Sequence, residues 1–191
     1  MEVFNRARVQ QNVNVQRFPF KVVWGVDIPS KVQFFVWTLV HGRVLTADNL
    51  CRKGTVVNPV CRLCESLNES IVHVFLHCSV SLSVWNAMTD PLPAVFLALF
   101  TVSLIEEWLL QWPVVTNHEW GSLVWKYLSY ATLWTLWKTR NNKTFRNTEI
   151  GVERICREIK FTIWYWCSSW KQRKKYKYQD LEDNWSGVIR G

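Results

Sequence analysis

The chain has 191 residues, 49% of them apolar and 20% charged, which leaves room for one mid-sized domain or two small ones and excludes a wholly disordered or fibrous protein. Its net charge of +8 is unevenly spread: residues 1–62 hold nine bases and three acids, 63–125 no base and six acids, and 126–191 fourteen bases and six acids. The basic ends suit a polyanionic partner, the acidic middle does not, and thirteen Trp need a buried home or a partner.

Taken in chain order, residues 1–19 are polar and aperiodic, so they read as a loose lead-in. Pro29-Ser30 signals a helix start with Ser30 as the cap, and Val32, Phe35, Val36 and Leu39 then share one face up to His41, before Gly42 as a stop. Thr46 caps a second short helix through Leu50 that Gly54 ends. Val57-Asn58-Pro59 is a turn. Ser70 to Met88 reads as helix, with a break near Cys78-Ser79. The uncharged run Pro91 to Ile105 is too short to span a membrane, so a buried helix is expected there. Trp120, Leu123, Tyr127, Ala131, Trp134 and Trp137 recur at helical spacing within Glu119 to Arg146. A last helix covers Gly151 to Trp170, and the basic run Lys171 to Lys177 closes it. The fold class expected is mainly α, with a small helical domain over 20–88 and a Trp-rich helical extension over 89–191.

The first thirty residues hold no apolar stretch of signal-peptide length. A nuclear or cytoplasmic location is therefore expected, nuclear preferred for the basic run, and secretion is not. In a reducing compartment, clustered cysteine reads as metal binding more readily than as disulfide. The cluster here is Cys61-Arg-Leu-Cys64, then His73 and Cys78. Thiolate and imidazole suit Zn²⁺, and four such ligands close a structural tetrahedron with no vacant position. Two sulfurs from one tight turn reach the same ion, while His73 and Cys78, five apart, need a helical turn with a slight unwinding. His77 lies one turn from His73 and could approach the same ion, but thiolate is the stronger structural ligand and Cys78 is preferred. Cys51, Cys156 and Cys167 stand alone and read as small buried hydrophobes.

Pro29-Ser-Lys-Val-Gln-Phe-Phe-Val-Trp37, His41-Gly-Arg43, Leu45-Thr-Ala-Asp-Asn-Leu50, Cys61-x2-Cys64 and His73-Val-Phe-Leu-His-Cys78 with Trp85 together resemble the reverse-transcriptase zinc-binding domain of plant non-LTR (LINE-type) retroelement proteins and their stand-alone relatives. The resemblance covers about residues 20–88, and Trp134-Thr-Leu-Trp137-Lys-Thr-Arg140-Asn-Asn-Lys-Thr-Phe145 is similar to the helix that often follows it. It implies one structural zinc per chain held by Cys61, Cys64, His73 and Cys78. Ser79 stands where the family usually has Pro, a departure that does not touch the ligands.

A polymerase needs paired aspartates for two metal ions, and the five Asp here include no Asp-Asp pair. A carboxylate cluster of the kind an RNase H needs is not evident in 126–191, and the near match to a zinc deaminase lacks the His-x-Glu half and has its proline one residue too early. The chain is accordingly expected to be non-catalytic: a zinc-containing nucleic-acid-binding module derived from a retrotransposon polyprotein, any catalysis needing a polymerase partner in trans. RNA or DNA is the expected partner, with no membrane and no small-molecule substrate. Phosphate contacts are expected from Arg43, Arg52, Lys53 and Arg62 beside the cysteines, and from Lys171, Arg173, Lys174, Lys175 and Lys177, with Tyr176 and Tyr178 interleaved for stacking. The competing readings are a protein-interaction scaffold, or a decayed retroelement fragment, without a nucleic-acid role.

Overall fold

A computed structural model describes residues 20–116 and 118–191, so the lead-in expected at 1–19 lies outside the described residues. In chain order the helices are α1 (Phe20–Trp24), α2 (Ser30–Val40), α3 (Ala47–Arg52), a π-helical turn (His73–His77), α4 (Ser79–Thr89), α5 (Pro93–Ala98), α6 (Ile105–Leu110), α7 (Glu119–Arg146), α8 (Val152–Trp166), α9 (Tyr178–Asp183) and α10 (Trp185–Arg190). Two 3₁₀ turns, Cys167–Ser169 and Lys171–Lys175, join α8 to α9. Among the described residues there is no β-strand, only an isolated antiparallel bridge between Val60 and Asn68. The fold is mainly α, as the sequence predicts.

The starts and stops follow local chemistry with a few corrections. Helix α2 begins at Ser30 itself, with Pro29 in the capping position and no side-chain cap. Its end is as expected: His41 follows it, the His41 Nδ1 lies 2.9 Å from the Trp37 carbonyl, and Gly42 has a left-handed φ of 64°. Thr46 precedes α3 in extended conformation, yet its hydroxyl turns to Asp48; the α3 amide of Ala47 donates instead to Glu69 Oε1, at 2.7 Å, from 22 residues downstream. Helix α7 has the predicted limits, with the ring of His118 accepting from the Gly121 amide at its start and Asn147 in left-handed conformation (φ 50°) at its end.

Two expectations need correcting. The apolar run Pro91 to Ile105 is not one buried helix: α5 ends at Ala98, a turn follows, and Ile105 opens α6. Val95, Leu99, Val102 and Ile105 are buried, whereas Leu97, Phe100 and Leu104 are 52–64% exposed. The last long helix ends at Trp166 rather than Trp170, and the basic run folds into a 3₁₀ turn of its own.

The core is continuous. Helix α7 packs along α8, α4 lies against both, and α10 returns to α7. A file of indoles, Trp85 (α4), Trp108 (α6), Trp112 and Trp125 (α7), links these elements with successive ring centroids 5.4, 5.3 and 4.9 Å apart. Edge-on and offset stacking at such spacing adds about 0.5–1.5 kcal/mol per pair beyond burial. Trp185 in α10 donates its Nε1 hydrogen to the Met88 carbonyl at 3.0 Å, tying the C-terminus to the end of α4.

Candidate metal centre and flanking basic residues

Residues 59–69 form a small closed loop. The Val60–Asn68 bridge pins its base, the Cys61 amide donates to Leu67 O (2.8 Å) and the Glu69 amide to Pro59 O (2.7 Å). At the tip the Glu65 amide donates to Cys61 O (2.9 Å), and Glu65 takes a left-handed φ of 54° that turns the chain sharply. This turn carries Cys61 and Cys64 side by side.

The other two ligand candidates come from the π turn. Its defining bond runs from the Cys78 amide to the His73 carbonyl, five residues back, at 2.6 Å. A π turn holds one more residue than an α turn and frees carbonyls that an α-helix would use. Two of these are recaptured by side chains of α4: Ser81 Oγ donates to Val74 O and Trp85 Nε1 to Phe75 O, at 2.5 and 2.8 Å. Cys78 then swings into extended conformation (ψ 138°) and caps α4, which is the predicted break. The widened turn is the unwinding that a five-residue spacing requires.

The result brings Cys61, Cys64, His73 and Cys78 together, with their ligand atoms all within 4.8 Å of one another. Cys61 Sγ and Cys78 Sγ are 4.0 Å apart, and Cys64 Sγ is 3.3 Å from His73 Nε2. Sulfurs on a tetrahedral zinc with bonds of about 2.3 Å stand about 3.8 Å from each other, so the donor set fits Zn²⁺ with sub-ångström adjustment. Cys61 and Cys78 are buried, and their mutual hydrogen bond drives their acidities apart: it raises Cys61, helped by burial, and lowers Cys78. Burial lowers His73, favouring the neutral imidazole that ligates metal. His77 faces elsewhere: its Nε2 lies 3.1 Å from Leu99 O and its ring lies parallel to Phe100. The cluster fits one structural zinc.

One functional pair escapes sequence reasoning. Glu69, in the loop between the ligand pairs, is buried and receives Arg140 of α7 at 2.6 and 3.1 Å while also accepting the Ala47 amide. Arg140 in turn lies over the Trp137 ring at 5.4 Å. At the loop tip Lys143 reaches Glu65 at 2.9 Å, which raises the lysine above its ordinary range. Arg140 and Lys143 lie in the Trp/Arg-Asn segment noted for its resemblance, but nothing in the sequence names their partners.

The bases expected to meet phosphate are placed as follows. Arg43, Arg52, Lys53 and Arg62 are exposed; Arg52 pairs with Asp48 at 3.0 Å, and Arg62 lines a cleft of about 510 Å³ whose walls include Leu45, Val57, Trp137 and Phe145. Lys171, Lys174, Lys175 and Lys177 are exposed, while Arg173 is half-buried with its guanidinium 4.0 Å above the Trp164 ring. Tyr176 stacks inward on Trp120 at 4.9 Å, and the Tyr178 hydroxyl donates to Glu182 at 2.6 Å.

Comparison with known proteins agrees with this geometry. Residues 2–85 match the family described as zinc-binding in reverse transcriptase. This segment is similar to the reverse-transcriptase zinc-binding domain. The chain is also 26% identical over 143 residues to an Arabidopsis thaliana protein named "Putative ribonuclease H protein", a match covering 74% of this chain and 22% of that protein. The chain thus spans about a fifth of the length of this relative. No solved structure matches. The matched segment contains all four clustered side chains. No helix among the described residues is long and apolar enough to cross a membrane.

Proposed function

We propose that the chain is a non-catalytic nucleic-acid-binding module of retroelement origin whose zinc is structural. The observation that carries this reading is the closed Cys61, Cys64, His73, Cys78 cluster, which leaves an ion no open position for substrate. A zinc on these four side chains ties the 59–69 loop, and with it exposed Arg62, to the π turn, and Arg43 and Lys53 are exposed just after α2 and α3. Exposed bases on a zinc-fixed loop supply phosphate contacts that fix position without reading sequence. Whether RNA or DNA is the better ligand follows from direct comparison. The likeness to a ribonuclease H protein fits a retroelement origin; polymerisation or strand cleavage belongs, on this reading, to a partner.

The test is binding of fluorescent single-stranded RNA and DNA to the zinc-loaded chain across a salt series. Affinity should fall linearly on a log–log plot with salt, and Cys61→Ser, which removes one ligand, should lose both zinc and the knuckle's share of affinity. A second reading, a protein-interaction scaffold, is favoured by the exposure of four large apolar side chains within a short segment, Leu97, Phe100, Leu104 and Leu110. Absence of any salt-dependent oligonucleotide binding would decide for it.

A further inference from the structure

Between α8 and the basic 3₁₀ turn lies a cavity of about 280 Å³ lined by Trp164, Trp170 and Tyr176 on its aromatic side and by Lys171, Arg173 and Lys174 on the other, with Ser168 and Ser169 at its wall. Every ionisable group of acid–base strength in that lining other than the tyrosine is a base. Four other cavities of the molecule each include a carboxylate: Glu119, Glu69, Glu149 or Glu158. Arg173 stands out within it. Its Nε is buried with no hydrogen-bond partner, and it takes part in none of the ion pairs among the described residues. A buried donor left without an acceptor is costly. Its contact with Trp164 returns part of that cost and holds the guanidinium in one plane.

We infer that this cavity is a subsite for one unpaired nucleotide of a single strand, an assignment that rests on the nucleic-acid reading above. The phosphate completes the charge of Arg173 and is flanked by the ammonium groups of Lys171 and Lys174. The base enters the aromatic side, against the half-buried indoles of Trp164 and Trp170. A base paired within a duplex is stacked on both faces and cannot enter, so the subsite selects single strands.

The experiment uses the full zinc-loaded chain and a fluorescein-labelled single-stranded RNA of about twelve nucleotides, within the usual range of single-strand sites. Anisotropy is measured over a salt series for wild type, for Lys171→Gln with Lys174→Gln, and for Arg173→Gln, and unlabelled duplex of the same sequence serves as competitor. Zinc content and near-ultraviolet ellipticity establish that each variant is folded. The one phosphate held here contributes about 0.7 to the log–log salt slope on a single strand, so the double lysine variant and Arg173→Gln should each lose up to about 0.7, and the duplex should compete at least tenfold more weakly. If Arg173→Gln is misfolded, the exposed lysine pair alone decides. A wild type that binds while the folded lysine variant keeps the full slope overturns the subsite and leaves the knuckle as the binding surface. Equal competition by duplex overturns the single-strand assignment. No binding by wild type removes both this inference and the reading beneath it.

Discussion

Glu69 does the work of three contacts with two oxygens. Oε1 accepts the Ala47 amide and Arg140 Nη2, and Oε2 accepts Arg140 Nε at 3.1 Å. The pair is buried, 0% and 6% exposed at the two side chains, and taking away one member of such a pair strands the other charge, at a cost of about 3–5 kcal/mol. Arg140→Met should therefore lower the unfolding free energy by about that amount in urea titration. Glu69→Leu combined with Arg140→Met should recover part of the loss, since no buried charge is left behind; a double variant as unstable as the sum of both singles would show that the carboxylate matters as a cap for α3 and not as an ion pair. This pair was illegible in the sequence because its members are 71 residues apart and neither stands in a charge pattern. The cluster of Cys61, Cys64, His73 and Cys78 was legible because metal chemistry permits few residue types and demands short spacing.

At the level of elements, the π turn decides the ligand geometry. His73 and Cys78 converge because the turn holds one residue more than an α turn. Removing one of the residues between them, Leu76 for instance, should return the segment to α geometry and rotate Cys78 by about 100° around the axis, abolishing stoichiometric zinc in elemental analysis. His77→Ala should keep it, since that ring bonds to Leu99 O and not toward the sulfurs. Retention of zinc by the deletion, or its loss in His77→Ala, would move His77 into the ligand set. The sequence showed that some unwinding was required and where the break falls, but not how the freed carbonyls are answered, because Ser81 and Trp85 act from the next helix. The long helix α7 was legible to its ends from the helical spacing of its aromatic and apolar residues, whereas its caps, His118 and Asn147, came from the structure. The split of the Pro91 to Ile105 run was not. A continuous apolar stretch gives no period from which to tell Val95, Leu99 and Val102, which face the core, from Leu97 and Phe100, which do not.

For the whole molecule, the zinc cluster and the tryptophan-rich helices share one core, in which Cys61, Phe75, Cys78 and Trp85 belong to the same buried cluster as Trp125, Leu128 and Ile159. Structural zinc in finger peptides contributes about 10–16 kcal/mol of folding energy, comparable with the whole stability of an ordinary domain, about 5–15 kcal/mol. Chelation should consequently loosen more than the 59–69 loop: amide protection in α7 and α8 should fall together with that of the π turn in hydrogen exchange. Full protection of α7 and α8 in metal-free protein would mean that the two parts fold independently. The tyrosines of this core add a second control. Burial pushes Tyr127 and Tyr130 up to about 12. Both phenols ionise more easily in the unfolded chain, so the stability they contribute is complete below about pH 10 and is lost as pH rises toward 12. A phenolate titration followed in the ultraviolet should show these two ionising late and together with unfolding.

The indole of Trp85 is bound through its N–H to the carbonyl of Phe75, inside the turn that supplies two ligands, and its ring is the first in a file that runs to Trp125. The molecule thus contains its own optical gauge. The asymmetric near-ultraviolet signal of fixed aromatic rings vanishes when packing is lost, and here the first ring of the file is bonded to the turn that carries His73, so loading of the cluster with zinc should change that signal in unlabelled protein.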